Sequence, residues 1–148
     1  MEIRIQTRVA QDKDTVYAGF NEDLFLKLKP PGVGLKLLRF DGSNTGDIVH
    51  LELDFKLFKT EWKSEITEAK ANDSINYFID EGVKGHLPFF LKEWKHQHRV
   101  LKDQDGAIIE DWINYKSPFW LMTVLMYPAM YLQFLARKPI YRKVFGKR

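Results

Sequence analysis

The 148-residue chain contains no cysteine. That absence excludes disulfide bonds, thiolate nucleophiles and cysteine-ligated zinc or iron–sulfur centres, and it favours a reducing compartment. The N-terminus also lacks a basic segment followed by an apolar run, the pattern of a secretory signal, because residues 1–5 alternate polar and apolar side chains. We therefore expect a cytoplasmic protein and, at this length, one domain over residues 1–148.

Acidic residues are missing from the C-terminal segment. Residues 137–148 carry six lysine or arginine side chains and no carboxylate, a charge of +6, so the other 136 residues sum to −3. The basic character belongs to this one segment, and we predict no nucleic-acid partner. The segment could complement a helix C-terminus or make a peripheral contact with anionic lipid. The sequence leaves a homodimer open.

Charged side chains are missing from residues 119–136. An uncharged run of this length raises the question of a membrane span, but Pro128 lies in its middle, and Thr123 and Gln133 add polar groups. We expect a helix over 119–136 that is apolar nearly all round because the rest of the protein covers most of its surface. A membrane-tethered interaction module is the alternative.

Elsewhere polar and apolar residues alternate with a period of two, which is typical of half-buried strands. Two short helical segments follow the first strand and end at Pro30-Pro31. The predicted fold class is α+β, with about seven antiparallel strands, those two helices and a long C-terminal helix. The strands are predicted over residues 2–9, 35–40, 48–58, 60–69, 75–81, 89–102 and 107–115.

The segment from Trp94 to His98 is the most unusual of these strands. Alternate side chains of a strand share a face, so Trp94, His96 and His98 point together while Lys95 and Gln97 point away. An indole and two imidazoles on the inner face of a sheet indicate a cavity, a metal site or a buried hydrogen-bond network.

Asp111, on the following strand, could join the two histidines. Two histidines and a carboxylate can bind a metal ion, and a histidine beside an aspartate can transfer protons. Whether Asp111 shares their face depends on the hairpin register, which a bulge at Gly106 would shift. We favour a hydrogen-bonded polar cluster and predict neither metal nor cofactor. Acid–base catalysis is the alternative, with His96, His98 and Asp111 as candidates.

Five segments of the chain carry a family resemblance: Phe78-Ile79-Asp80-Glu81, Leu87-Pro88-Phe89-Phe90, residues 94–98, residues 109–115 and Phe134-Leu135-Ala136-Arg137. Together they resemble the START-like SRPBCC superfamily, and most closely its uncharacterised bacterial branch described as cyclase/dehydrase-like or ligand-binding. One departure is Ser117-Pro118-Phe119-Trp120, where that branch often has Pro-Leu-Gly. The bulkier residues could narrow the mouth of a pocket.

The resemblance implies a helix-grip fold, in which a curved antiparallel sheet wraps a long C-terminal helix and leaves a cavity between them. Members of the superfamily bind lipids, sterols, quinones or polyketides, and a minority catalyse cyclisation or dehydration. It therefore implies that this chain binds a small hydrophobic ligand, with a cyclase- or dehydratase-type enzyme as the alternative.

The ligand-binding residues are predicted to come from the sheet and from the C-terminal helix. Helix positions 119, 122, 126, 130 and 134 recur at three- and four-residue spacing, so their side chains share one stripe. Methionine adapts its shape to irregular ligands, although the same stripe could fill a dry core. The predicted set is Trp94, His96, His98, Asp111, Tyr115, Phe119, Met122, Met126 and Met130.

Overall fold

The computed structural model describes residues 1–148 and contains one seven-stranded antiparallel sheet in the order β1-β7-β6-β5-β4-β3-β2. The predicted α+β class and order of elements are confirmed. The strands are β1 Glu2–Val9, β2 Gly34–Phe40, β3 Ile48–Asp54, β4 Lys59–Ala71, β5 Ile75–Gly82, β6 Glu93–Asp103 and β7 Gly106–Lys116. The helices are α1 Lys13–Ala18, α2 Glu22–Lys27, α3 Trp120–Leu135 and α4 Arg137–Phe145.

The two short helices begin at residues whose side-chain oxygens cap them. Asp12 accepts hydrogen bonds from two backbone amides of α1, and Asn21 accepts one from the amide of Leu24 in α2. These bonds satisfy amides that have no partner within the first turn of a helix. α2 ends shortly before Pro30-Pro31, a pair that cannot continue a helix.

Two strands are shorter than the alternation predicted. β3 ends at Asp54 rather than residue 58, because Lys56 adopts a positive φ of 70° and the chain reverses there. β6 begins at Glu93 rather than residue 89, because a turn closed by a hydrogen bond from the Leu91 amide to the Pro88 carbonyl precedes it. Apolar and polar residues still alternate from Phe55 to Leu57, so the pattern could not mark the end of β3.

The C-terminal helix is longer than predicted and is interrupted once. The predicted helix over 119–136 continues beyond Ala136 as α4, which carries most of the basic C-terminal segment. The last residue, Arg148, forms ion pairs with Asp103 at 2.7 Å and Asp105 at 3.1 Å. The basic segment is therefore mainly a second helix docked on the sheet, rather than a free tail.

The expectation that the rest of the protein covers α3 on most sides is wrong. One side of the helix packs against β1 and β7, and Thr123, Met130 and Phe134 are buried there. The opposite side has no neighbouring element, because the sheet lies on one side only. We call it the outer face of α3, and its most exposed side chains are Phe119 (70%), Trp120 (78%), Leu121 (58%), Leu125 (69%) and Leu132 (61%).

The helices divide the inner face of the sheet into two halves. In the packed half, α3 and α4 lie on β1 and β7, and their side chains interleave with Ile3, Ile5, Val9, Ile109 and Ile113. In the second half, β3, β4 and β5 present a similar set of apolar side chains, but neither α3 nor α4 lies above them. We call this the cavity half, and its inward apolar side chains are Val49, Leu51, Leu53, Ile66 and Phe78.

Candidate functional site

The cavity half of the sheet borders a cavity that is open to solvent at its mouth. Of the 25 residues that line it, 14 are hydrophobic, and a mainly apolar lining with a few polar groups is usual for sites that bind small organic molecules. The last turn of α3 and the start of α4 close one side through Gln133, Phe134 and Arg137. The loop after α1 and helix α2 close another side with Phe20, Leu24 and Phe25.

Polar groups are concentrated on one wall of the cavity. We call them the polar cluster: Asp80, His96, His98, Asp111 and Arg137. Four of them line the cavity, whereas Asp111 lies behind His96. The cluster therefore joins β5, β6, β7 and α4 at one place.

Strand register brings the sheet residues of the cluster together. His96 lies directly opposite Asp80 on β5, and His98 lies directly opposite Asp111 on β7. The hairpin between β6 and β7 has no bulge, so Asp111 keeps the inward face of the histidines. Gly106 permits this tight hairpin, since its φ is +148° and a Cβ there would lie 2.2 Å from the Val9 carbonyl oxygen.

Asp111 is an internal member of the cluster. A 2.8 Å hydrogen bond joins its Oδ1 to His96 Nε2, the hydroxyl of Tyr141 donates to the same oxygen at 3.3 Å, and Arg137 Nη1 lies 3.6 Å away. Asp111 is only 2% exposed and does not line the cavity. It can act on a cavity ligand only through His96 or Arg137.

Burial changes the protonation of the cluster. Desolvation, followed by the nearby Arg137 charge, lowers the pKa of His96 well below its usual value, and desolvation together with His96 does the same for His98. Both imidazoles are therefore neutral at pH 7. Desolvation raises the pKa of Asp80 to about 6 and also raises the pKa of Asp111, which Arg137 opposes.

Three atoms of the cluster are buried without a hydrogen-bond partner: Asp80 Oδ1, His98 Nδ1 and Arg137 Nε. Leaving a buried polar group unpaired costs about 1–3 kcal/mol, and such groups are rare in folded proteins. All three belong to residues that line the cavity. The cluster thus has unused capacity to accept and to donate hydrogen bonds.

Asp80, His96 and His98 are the residues that could hold a metal ion, because their candidate ligand atoms all lie within 4.8 Å of one another. The carboxylate of this set is Asp80 rather than the expected Asp111. The guanidinium of Arg137 reaches the same cluster and would repel a cation. For acid–base catalysis, too, the candidate carboxyl group is Asp80 rather than Asp111. Asp80 lines the cavity beside the neutral His98, and its pKa is about 6.

Of the predicted site residues on the sheet, some line the cavity and others do not. Trp94, His96 and His98 line the cavity, and Trp94 also packs edge-on against Trp62 with ring centres 4.7 Å apart. Tyr115 lies in the packed half, where its hydroxyl donates to the Thr123 carbonyl at 2.7 Å. Tyr115 therefore anchors α3 to the sheet and does not face the cavity.

Of the predicted helix stripe, only Phe134 lines the cavity. Phe119 is on the outer face, Met122 is half-buried, Met126 contacts the Ser117 hydroxyl, and Met130 is buried in the packed half. The stripe faces β1 and β7 because α3 lies over those strands. Only its last turn, with Gln133 and Phe134, reaches the cavity.

Two residues of the cluster, Asp80 and Arg137, were not among the predicted site residues. The sequence did contain a signal for both. Alternation along β5 places Asp80 on the face of Phe78, and Arg137 follows Phe134 by three residues, a spacing that keeps them on one side of a helix. Both also lie in segments that carry the family resemblance.

No protein-family model and no curated protein matches this chain. Solved structures do match it over nearly the whole length. A protein from Chromobacterium violaceum has a TM-score of 0.72 at 15% identity and covers 100% of this chain and 99% of its own. A STAR-related lipid transfer protein from Xanthomonas axonopodis has a TM-score of 0.65 at 20% identity, covering 95% and 85%.

A third similar structure is norcoclaurine synthase from Thalictrum flavum bound to a transition-state analogue. Its TM-score is 0.63 at 16% identity, over 98% of this chain and 93% of the synthase. The chain therefore shares the fold of these structures, and this is the helix-grip fold. Identities this low show the fold alone. Within the helix-grip fold of this chain, α3 and α4 together form the C-terminal helix, and the cavity lies between that helix and the strands from β2 to β6.

Proposed function

We propose that this chain binds a small, largely apolar molecule in the cavity. The observation that carries the proposal is an apolar wall of β3 and β4 side chains that neither α3 nor α4 covers, with a cluster of polar groups beside it. Burial of apolar surface drives such binding at about 25 cal/mol per Å². The shared fold of a STAR-related lipid transfer protein, and of a norcoclaurine synthase in complex with dopamine and hydroxybenzaldehyde, supports it.

Native mass spectrometry of protein purified without detergent tests this proposal. We expect an additional mass that organic solvent releases, or uptake of added naphthalene if the protein is isolated empty. Leu51→Trp places a large ring in the cavity and should abolish both signals, whereas Leu38→Trp changes an exposed position outside it and should not. Circular dichroism confirms folding of each variant. A bare mass together with no naphthalene uptake contradicts the proposal.

The outer face of α3 supports a second proposal, a peripheral contact with an anionic lipid bilayer. Its exposed side chains include aromatic groups that favour the membrane interface, Trp120 and Tyr131. Residues 112–148 hold seven basic and no acidic side chains. Arg137 belongs to the polar cluster, and Lys116 and Arg148 form ion pairs. The other four are Lys138, Arg142, Lys143 and Lys147, and each basic residue near an anionic surface contributes about 1 kcal/mol. No helix of this protein has the length and apolarity needed to cross a bilayer, so the contact is with the surface.

Co-sedimentation with vesicles tests this contact. We expect binding to phosphatidylcholine vesicles that contain phosphatidylglycerol, weaker binding to pure phosphatidylcholine and a decrease at high salt. Replacing Leu121 and Leu125 with serine should weaken binding, whereas Leu38→Ser, at an exposed position on β2, should not. No vesicle binding, combined with a concentration-dependent dimer that the double variant disrupts, would assign the outer face to a second copy of the chain instead.

A further inference from the structure

The polar cluster indicates which polar group a cavity ligand carries, an inference that rests on the proposed function. Its three unpartnered atoms differ in what they require. Asp80 Oδ1 accepts a hydrogen bond, Arg137 Nε donates one, and Nδ1 of the neutral His98 does one or the other according to its tautomer. A purely apolar ligand would leave all three unpaired. A ligand with an oxygen-bearing polar group at one end would satisfy them.

Intramolecular partners meet these requirements only in part. Hydrogen bonding from Ser64 and Trp94 lowers the pKa of Asp80, but Asp80 Oδ1 itself has no partner. The Arg137 guanidinium stacks over the Phe134 ring at 4.2 Å, yet its Nε is unpaired. His98 is stacked on Phe78, with ring centres 4.3 Å apart, and this contact does not engage Nδ1. The three residues are thus held by neighbours, and all three line the cavity.

The charge of the cluster decides between an anionic and a neutral polar group. At pH 7 both histidines are neutral. The guanidinium of Arg137 lies 3.6 Å from Asp111, whereas Asp80 lines the cavity and forms no ion pair. Coulomb interactions are strong in a desolvated site, so a carboxylate or phosphate placed against Asp80 would be repelled. A hydroxyl can donate to Asp80, and its oxygen lone pairs, or a neighbouring carbonyl oxygen, can accept from Arg137.

We propose that the cavity selects apolar molecules that carry a neutral hydroxyl or hydroxy-carbonyl group, and that Asp80, His98 and Arg137 bind that group. The apolar body lies against Val49, Leu51 and Leu53, and the hydroxyl donates to Asp80. Asp80 is the residue that sets this specificity, because it supplies both the acceptor and the negative charge that disfavours acids. Fatty acids and other carboxylates of equal size are discriminated against.

Three probes with one apolar body test the inference: naphthalene, 2-naphthol and 2-naphthoate, each measured by equilibrium dialysis at pH 7.5. We expect 2-naphthol to bind the wild-type protein about tenfold more tightly than naphthalene, the size of effect that a hydrogen bond to a charged group gives. We expect 2-naphthoate to bind no better than naphthalene. This ranking needs no variant, so it stands even if substitutions in the cluster prevent folding.

Variants of Asp80 test whether the polar cluster causes the preference for 2-naphthol. In Asp80→Asn and Asp80→Leu the preference for 2-naphthol over naphthalene should fall to about threefold or less, and 2-naphthoate should gain relative to naphthalene. Naphthalene itself should bind all variants with little change. Asp73→Asn, at an exposed turn residue, is the matched control and should retain the wild-type ranking.

The outcomes separate this inference from the proposed function. Equal affinity for naphthalene and 2-naphthol, or tightest binding of 2-naphthoate, would overturn the neutral-hydroxyl inference while leaving apolar binding in place. A preference that survives both Asp80 variants would also overturn it. Failure of all three probes to bind would overturn the proposed function instead.

Discussion

The packed half and the cavity half of the sheet have the same alternation of inward apolar and outward polar side chains. The packed half is covered by helices, whereas the other half borders a cavity. In the packed half, Ile109 and Ile113 meet side chains of α3 and α4 and are almost fully buried. In the cavity half, Leu51 and Ile66 are equally inward and nearly as buried, but they border a cavity. Strand alternation therefore determines which side chains face inward. The position of the C-terminal helix determines whether those side chains contact protein or border a cavity.

The largest expected contrast comes from truncating one isoleucine in each half. Ile113 is 0% and Ile66 is 2% exposed, so burial is matched. Ile113→Ala should lower the free energy of unfolding by about 3–4 kcal/mol, since it opens a void in a close-packed region. Ile66→Ala should cost about 1–2 kcal/mol, because one side of the lost methyl groups already borders empty space and fewer contacts disappear. Urea unfolding measures both, and equal losses would mean that the cavity half is packed as tightly as the other.

A smaller contrast is expected from enlarging one valine in each half. Val100 is fully buried among residues of the packed half, whereas Val49 lines the cavity. Val100→Phe should destabilise the protein by about 1–3 kcal/mol, because a filled core has no room for the ring. Val49→Phe should change stability by less than about 1 kcal/mol and should block naphthalene binding. Thermal unfolding and equilibrium dialysis provide the two measurements, and unchanged binding to Val49→Phe would contradict the assignment of this cavity as the ligand site.

The third contrast is a pH dependence that arises from Asp80 in the cavity half. The pKa of Asp80 is about 6 in the folded protein against a usual value of 3.8. Between these values the folded state holds a proton that the unfolded state has released, so stability falls as the pH rises through this window. The lowered pKa values of His96 and His98 act in the opposite direction below about pH 6.5.

Asp80→Asn separates the contribution of Asp80 from that of the histidines. The wild type and the variant share the histidine contribution to first order, so it cancels in their difference. The Tm of the wild type minus that of the variant should decrease from about pH 4 to about pH 6 and then level off. Circular dichroism at matched ionic strength measures the difference, with Asp73→Asn as the control. A flat difference would show that Asp80 has an ordinary pKa and is hydrated.

Much of the fold could be predicted from the sequence, because local rules operate along single strands and helices. Alternation around His96 and His98 identified the inward face of β6, and the pattern at Asp105-Gly106 identified the hairpin that places Asp111 opposite His98. The helix stripe from Phe119 to Phe134 was expected to line the cavity, but Met126 and Met130 pack toward β1 and β7 and only Phe134 reaches the cavity. Helical periodicity identifies which side chains share a face, but it contains no information about which strands that face meets.

By itself, the sequence determined the helix-grip order of elements and the inward direction of Trp94, His96 and His98. These follow from the period of a strand and from turn chemistry, both of which depend on near neighbours in the chain. Only the tertiary structure decided that Asp80 and Arg137, 57 positions apart in sequence, join the two histidines at one wall of a cavity, and that α3 leaves its outer face exposed. Both results depend on where α3 and α4 lie on the sheet, which packing between distant residues sets.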